Sequence, residues 1–235
     1  MPTPPYIELH CHSGFSFLDG ASHPEELVFR ALELGYPAMA LTDHNGLYGS
    51  MEFAQAARAE GLQPITGAEV TVALDIPGIP EGLDGLDGDA NDDPLTRGCH
   101  MTLLAETPAG YANLCRLLSE AHLHSERGSP TLPLSSLLAR TEGLITLTGC
   151  RRGLLSRALE DSVATAEFLA RRLHAAFGPE GLFIELQANE QKGDGYRNRS
   201  LGRLADRLGI PVVATRNVHY HRPERHRLQD VLVSI

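Results

Sequence analysis

No stretch of this 235-residue chain approaches 18 consecutive apolar residues, and its opening MPTPPY lacks the pattern of a secretory leader. Both absences point to a cytoplasmic protein with no membrane partner. Cysteine is scarce: the 4 residues Cys11, Cys99, Cys115 and Cys150 form no C-x-x-C pair and no disulfide framework. Buried thiols in a reducing compartment are the simplest reading of Cys11, Cys99 and Cys115. Basic charge is short as well. Lys+Arg is 20 against Asp+Glu 30, a formal net charge of −10. A surface field of that sign repels nucleic acid, so any contact with DNA needs a bound cation or a neighbouring basic domain. No G-x-G-x-x-G or P-loop follows a strand-like run, which disfavours an open nucleotide-binding sheet. Gly14-Phe15-Ser16-Phe17 and Gly49-Ser50 lack the nucleophile-elbow pattern, so no Ser/Cys–His hydrolase relay stands out.

What remains is an ordinary globular composition, 42% hydrophobic and 21% charged, long enough for a sizeable core. Strand-like runs recur at Ile7–His12, Ala38–Thr42, Pro64–Ala73, Met101–Ala105, Leu144–Thr148, Leu182–Leu186 and Val212–Thr215. Helical patterns lie between them. Pro24–Leu34 starts at Ser22 or His23 and ends at Gly35, and Ser50–Glu60 ends at Gly61. Ala109–His122, Val163–Phe177 and Tyr196–Leu208 follow, the last ending at Gly209. Alternation of this kind predicts an α/β fold with a largely parallel sheet, either a closed barrel or an open doubly wound sheet. A stretch rich in Gly, Pro and Asp, 75–97, reads as an exposed acidic loop. Its Asp84, Asp87, Asp89, Asp92 and Asp93 depart from the EF-hand calcium spacing.

The chemistry starts at His10-Cys11-His12. In a strand, His10 and His12 share a face about 6.6 Å apart, with Ile7, Leu9 and Cys11 on the other. Two imidazoles so placed can close on one metal ion. Further metal-type residues sit at or just past other strand ends, where parallel barrels collect their chemistry. Asp43 and His44 end the second run, Glu69 lies in the third, Cys150 follows Leu144–Thr148, and Asn217 and His219 follow the last. Asp19 lies in the loop after His12; His100 precedes its strand and breaks the rule. Glu69 is an odd choice for a strand. Asp43 reads as a group that orients a ligand histidine. His23, His122, His124, His174, His221 and His226 read as solvated. A set of imidazoles, carboxylates and one thiolate suits zinc first, with manganese or iron as alternatives. So many donors exceed one ion's needs. Two or three clustered ions clamp a phosphoryl group and make a nucleophile of water at neutral pH, so phosphoester hydrolysis is the expected reaction class.

His10-Cys11-His12, Asp19-Gly20, Thr42-Asp43-His44, Gly67-Ala68-Glu69 and Asn217-Val218-His219 resemble the motifs of the PHP (polymerase and histidinol phosphatase) superfamily. Met101–Ala105, Gly110–Leu114, Val218-His219-Tyr220 and Leu228–Leu232 are similar to the version at the N-terminus of bacterial DNA polymerase III alpha subunits, the error-prone group above all. The resemblance implies one domain over 1–235, a distorted seven-stranded (β/α) TIM-like barrel, continuing into a longer polymerase that holds DNA. The polymerase aspartates are not among these residues. By motif position, His10, His12, Glu69 and Asn217 would hold one metal. Glu69 with His100 and Cys150 would hold a second, and Asp19, His44 and His219 a third. Asn217 departs from the family, which usually has Asp there; Asn lacks the charge and is a poorer ligand. Arg151 or Arg152 could bind a phosphate. The implied activity is a metal-dependent 3′–5′ exonuclease serving replication or error-prone repair synthesis. Its implied partners are DNA, the remaining polymerase domains and other replication or translesion proteins. The alternatives are a structural metal-binding domain, or a stand-alone phosphatase of the histidinol-phosphate type.

Overall fold

A computed structural model describes residues 5–78 and 98–235. Helix α1 (Pro24–Glu33) begins at His23 in a capping box with Glu26 and stops before Gly35, whose φ of 75° a side chain would strain. Strand β1 (Ala38–Leu41), helix α2 (Ser50–Glu60) and strand β2 (Gln63–Ala73) follow. Next come β3 (Cys99–Ala105), α3 (Pro108–His124), the short β4 (Leu132–Pro133), α4 (Leu134–Leu138), β5 (Leu144–Leu147), α5 (Leu154–Asp161) and α6 (Val163–Phe177). Strand β6 (Leu182–Gln187), α7 (Asp194–Leu208), β7 (Val212–Thr215), a 3₁₀ turn (Pro223–Arg225) and α8 (His226–Leu232) complete the order. The strand–helix alternation read from the sequence is therefore found, and the fold is α/β. Among the described residues, no helix is long and apolar enough to cross a membrane.

The chain divides into two compact units. The first joins its two ends, residues 1–68 and 215–235, and the second is 69–214. In the first unit, β1 runs parallel to the start of β2, with Ala38 opposite Gln63 and Leu41 opposite Thr66. Its core packs Cys11, Leu27, Val28, Met39, Leu41, Phe53 and Leu62. Cys11 is thus a core thiol, and the parity of its segment sends His10 and His12 away from it.

Residues 7–12 do not form the regular strand that their alternation predicts. The backbone is extended, with single bridges at Glu8↔Met39 and Cys11↔Val218. Side chains take the places of ladder partners. The Glu8 carboxylate accepts from the amides of His10 (3.0 Å) and Arg216 (3.2 Å), and Thr42 Oγ1 accepts from the Cys11 amide (2.9 Å). Residues 217–219 lie alongside: Val218 N donates to His10 O at 2.9 Å, and His12 N donates to Val218 O at 2.7 Å.

In the second unit, β2 pairs with β4 in parallel and β5 with β6 in parallel, but β3 and β5 are antiparallel, Thr102 facing Leu147. The one antiparallel pair among these pairings fits the expected largely parallel sheet. It also explains His100: in an antiparallel pair the beginning of β3 lies beside the end of β5, where Cys150 follows. His100 N donates to Arg152 O there (3.0 Å). The sequence reading missed β4 and α4, α5, whose polar Arg157 and Glu160 interrupt a short apolar run, and α8. Of the expected acidic loop, Asp75 accepts from the Ser135 amide at 2.8 Å and Ile76 is buried. Residues 79–97, with the five aspartates weighed for calcium, lie outside the described residues.

Gly202 sits inside α7 with nothing within 4 Å of the position a Cβ would take. Gly202→Ala is expected to raise unfolding stability by about 0.5–1 kcal/mol, because alanine loses less backbone entropy in a helix. Urea denaturation reads the gain, and a loss instead would show that this face of α7 is packed more tightly than described.

Candidate metal centre

In the first unit, the segments carrying His10 and His12, Asp19, His44, and Asn217 and His219 bring those side chains together. The His12 and His44 rings stack at 4.3 Å, His12 and His219 lie 5.0 Å apart, and His10 and His12 meet edge to face at 5.1 Å. Asp19 Oδ2 stands 2.7 Å from His44 Nε2 and 3.1 Å from His219 Nε2. Ligand atoms of His12, Asp19 and His44 lie within 4.8 Å of one another. Asn217 Oδ1 is placed 2.9 Å from His12 Nε2, and Asn217 itself has φ of 51°, a left-handed conformation that asparagine tolerates. His10 and His12 are fully buried, whereas the side chains of His44, Asp19 and His219 are each about a fifth exposed. The cluster has a dry end and a wet end, as a site needing both rigid ligands and solvent access requires.

Burial alone would raise the Asp19 carboxyl, but hydrogen bonds from His219 and His44 and the proximity of His12 outweigh it and hold the group well below the usual carboxylate range. Asp19 is therefore an anion at neutral pH. Three imidazoles with one firmly ionised carboxylate form a donor set that fits a divalent ion such as zinc, manganese or iron.

Asp43 lies beneath this cluster and is almost inaccessible to water. Its Oδ1 accepts from Ser13 N (2.7 Å) and Ser16 Oγ (2.7 Å), and its Oδ2 from Ser13 Oγ (2.9 Å). Burial raises its pKa, and these donors partly offset the rise. Ser16 Oγ in turn accepts from the His44 amide (3.1 Å) and faces His12 Nδ1 at 3.4 Å. Ser16 O accepts from the amides of Asp19 and Gly20. The Asp43 carboxylate thus reaches His12 and the His44 amide through Ser16, while Ser13 helps to hold it. Sequence reasoning did not weigh Ser13 at all and weighed Ser16 only as a nucleophile. The serine-rich loop four residues after a ligand histidine was the available signal.

In the second unit, His100 Nδ1 is 2.6 Å from Glu69 Oε1 and 3.7 Å from Cys150 Sγ, all three buried. Burial pushes the Cys150 thiol far up, the charges of Glu69 and Glu185 add to this, and Arg152 opposes it. A nearby cation is what would let this sulfur ionise and ligate. Glu185, buried on β6 and accepting from Gln187 Nε2 at 2.8 Å, is an acidic residue the sequence reading did not single out. Arg151 is exposed and donates to Gln191 Oε1 at 3.2 Å. His221, expected to be solvated, is instead partly buried and has a firm role. Its Nδ1 lies 2.8 Å from Ser22 Oγ, and its amide donates to the same oxygen at 3.0 Å, pinning the segment just after His219.

Comparison with known proteins places this geometry in a class. The model of the PHP domain matches residues 8–189, and the chain belongs to that family. Among curated relatives, the error-prone DNA polymerase of Symbiobacterium thermophilum is 40% identical over 247 aligned residues, taking in 98% of this chain and 21% of that polymerase. The error-prone DNA polymerase of Mycolicibacterium paratuberculosis is 42% identical, over 98% of this chain and 20% of its own length. The chain thus spans about a fifth of the curated relatives it matches. Among solved structures, an amidohydrolase from Chromobacterium violaceum superposes with a TM-score of 0.59 at 18% identity, covering 96% of each chain. A Bifidobacterium adolescentis protein assigned as a metal-dependent phosphoesterase superposes with a TM-score of 0.56 at 16% identity, covering 99% of this chain and 98% of its own. These likenesses bear out the expected PHP-type barrel fold.

A Cβ on Gly20 would stand 1.8 Å from Ser13 O, inside the loop that positions Asp19. Gly20→Ala is expected to shift that loop and weaken Mn²⁺ or Zn²⁺ binding by about tenfold or more, the usual cost of disturbing the support of a metal ligand. Calorimetric titration checks this, with Gly202→Ala as the control that leaves affinity unchanged.

Proposed function

We propose that this chain is a metal-dependent phosphoesterase module of an error-prone DNA polymerase, trimming DNA 3′ ends beside the synthetic domains. The observation that carries the reading is the convergence of His12, His44 and His219 on the ionised Asp19 in the first unit. Family membership and the names of the relatives support it. In this reading His10, His12, Asp19, His44, Asn217 and His219 hold metal in the first unit, and Glu69, His100 and Cys150 hold it in the second. The total is two or three ions, with zinc preferred over manganese or iron. Bound dications would supply Lewis-acid polarisation of a phosphoryl oxygen and activation of water at neutral pH. The chain's own residues do the positioning. Asp43 fixes the loop that carries Asp19. Arg151 spends one donor on Gln191 and has others with which to contact a substrate phosphate. The acidic chain leaves the grip on DNA to the metals and to the other polymerase domains, with replication or translesion proteins as further partners in the cytoplasm.

One observation favours a second reading, a structural metal domain of low activity. Asn217 offers a neutral amide where the family usually carries a carboxylate, so a dication there meets one negative charge fewer.

Elemental analysis and hydrolysis assays separate the two. Two or three metals per chain, with release of nucleotides from a single-stranded DNA oligomer in Mn²⁺ or Zn²⁺ and loss of that activity in EDTA, are expected for the enzyme. One metal or none, and no hydrolysis, is the scaffold's signature. Hydrolysis of a small phosphomonoester alone would point to a phosphatase instead. His12→Ala is expected to abolish activity, and Asn217→Asp to raise both metal content and rate. An unchanged metal content and rate in Asn217→Asp would falsify the role given to that position.

A further inference from the structure

Two distances around Ser16 decide where its proton goes. Its hydroxyl oxygen is 2.7 Å from the Asp43 carboxylate and 3.4 Å from His12 Nδ1. A hydroxyl has one proton, and the short contact to an anion takes it. The oxygen then turns lone pairs toward its other neighbours. It accepts from the His44 amide at 3.1 Å, and the partner it can accept from at His12 is a protonated Nδ1. A neutral imidazole carries one ring proton, so a proton on Nδ1 leaves Nε2 as an acceptor.

Nε2 faces the Asn217 side-chain amide at 2.9 Å. With the amide oxygen there, two acceptors would confront each other. The two ends of an amide are nearly equal in shape, and the hydrogen-bond pattern decides which one faces a neighbour. We propose that Ser16 is a positioning residue that fixes the Nδ1–H tautomer of His12, and that Asn217 in the metal-free chain turns its Nδ2–H onto His12 Nε2. Asn217 is then more than a weakened ligand. It is a donor that caps the metal-facing nitrogen while metal is absent, and a half-turn of the amide presents oxygen when metal arrives. An aspartate at this position could only accept, and would draw the ring proton from Nδ1 to Nε2. The inference rests on the proposed reading of His12 as a metal ligand, but its principal test needs neither metal nor hydrolysis.

The test is ¹⁵N-histidine NMR of the metal-free chain in EDTA at pH 8, with His12 assigned by its loss in His12→Ala. A pyridine-like Nε2 and a pyrrole-like Nδ1 are expected. A proton on His12 Nε2 in the unaltered chain overturns the proposal without recourse to any variant. Asn217→Asp is expected to move the proton to Nε2, and retention on Nδ1 overturns the capping role of Asn217. Ser16→Ala, checked by its melting curve to remain folded, is expected to mix the two tautomers and to weaken Zn²⁺ binding about ten- to a hundredfold. An unmixed Nδ1–H tautomer in that variant removes Ser16 from the account. A chain with the expected tautomer that takes up no metal would instead defeat the proposed function and leave the proton assignment standing.

Discussion

A carboxylate with almost no access to water has to be satisfied by donors, and in the first unit that requirement organises everything around Asp43. Leaving it with a missing partner costs far more than any surface ion pair returns, because the ion has already lost its hydration. The chain meets the requirement with two serines on one loop. Ser13 gives its amide and hydroxyl, and Ser16 gives its hydroxyl. Once Ser16 is held, its carbonyl receives the amides of Asp19 and Gly20, and Asp19 is carried to within hydrogen-bonding distance of His44 and His219. The left-handed φ of 64° at Leu18 is tolerated inside this loop because its neighbours are fixed on both sides. The placement of Asp19 is thus a consequence of how Asp43 is solvated by protein.

Most of the helices were legible because their ends carry explicit punctuation. Gly61 and Gly209 sit at the ends of α2 and α7 in the left-handed conformation, and both boundaries fall where the glycines indicate. Helix α6 matches the expected Val163–Phe177, and the structure adds its cap, Ser162, which accepts from Thr165 N. The segment 7–12 was legible in parity but not in bonding. Alternation says which side chains share a face, and it cannot say that Glu8 and Thr42 will supply the acceptors a neighbouring strand would have offered. Direction of pairing was hidden too. Nothing in Cys99–Ala105 marks it as antiparallel to β5, so His100 looked misplaced until that pairing put it beside Cys150.

The candidate site divides along the same line. Histidines and acidic residues at strand ends could be found by residue type, because few residue types bind a dication. The residues that hold them in place could not, because serine is common and its role depends on partners distant in the chain: Ser13 and Ser16 meet a carboxylate about thirty positions away. Ser22 meets His221 across 199 positions. Supporting contacts of this kind belong to three dimensions and leave almost no trace in one.

The charge carried by each set of donors follows from its residue types and sets what each can do with a metal. In the proposed reading the first unit would offer a dication His10, His12, His44, His219 and Asn217 as neutral donors and Asp19 as an anionic one. A dication held there would keep a net positive charge, the condition under which it could attract an anionic phosphoester and polarise its oxygen. In the second unit the Cys150 thiol would ionise only with a cation beside it, since burial and the charges of Glu69 and Glu185 otherwise hold its proton on. A dication held by that thiolate and the Glu69 carboxylate, as proposed, would be largely neutralised by its ligands, which favours retention over turnover. Replacing a carboxylate by Asn217 would therefore weaken the hold on metal in the first unit, and a site that loses its ion loses the activity that the ion would supply.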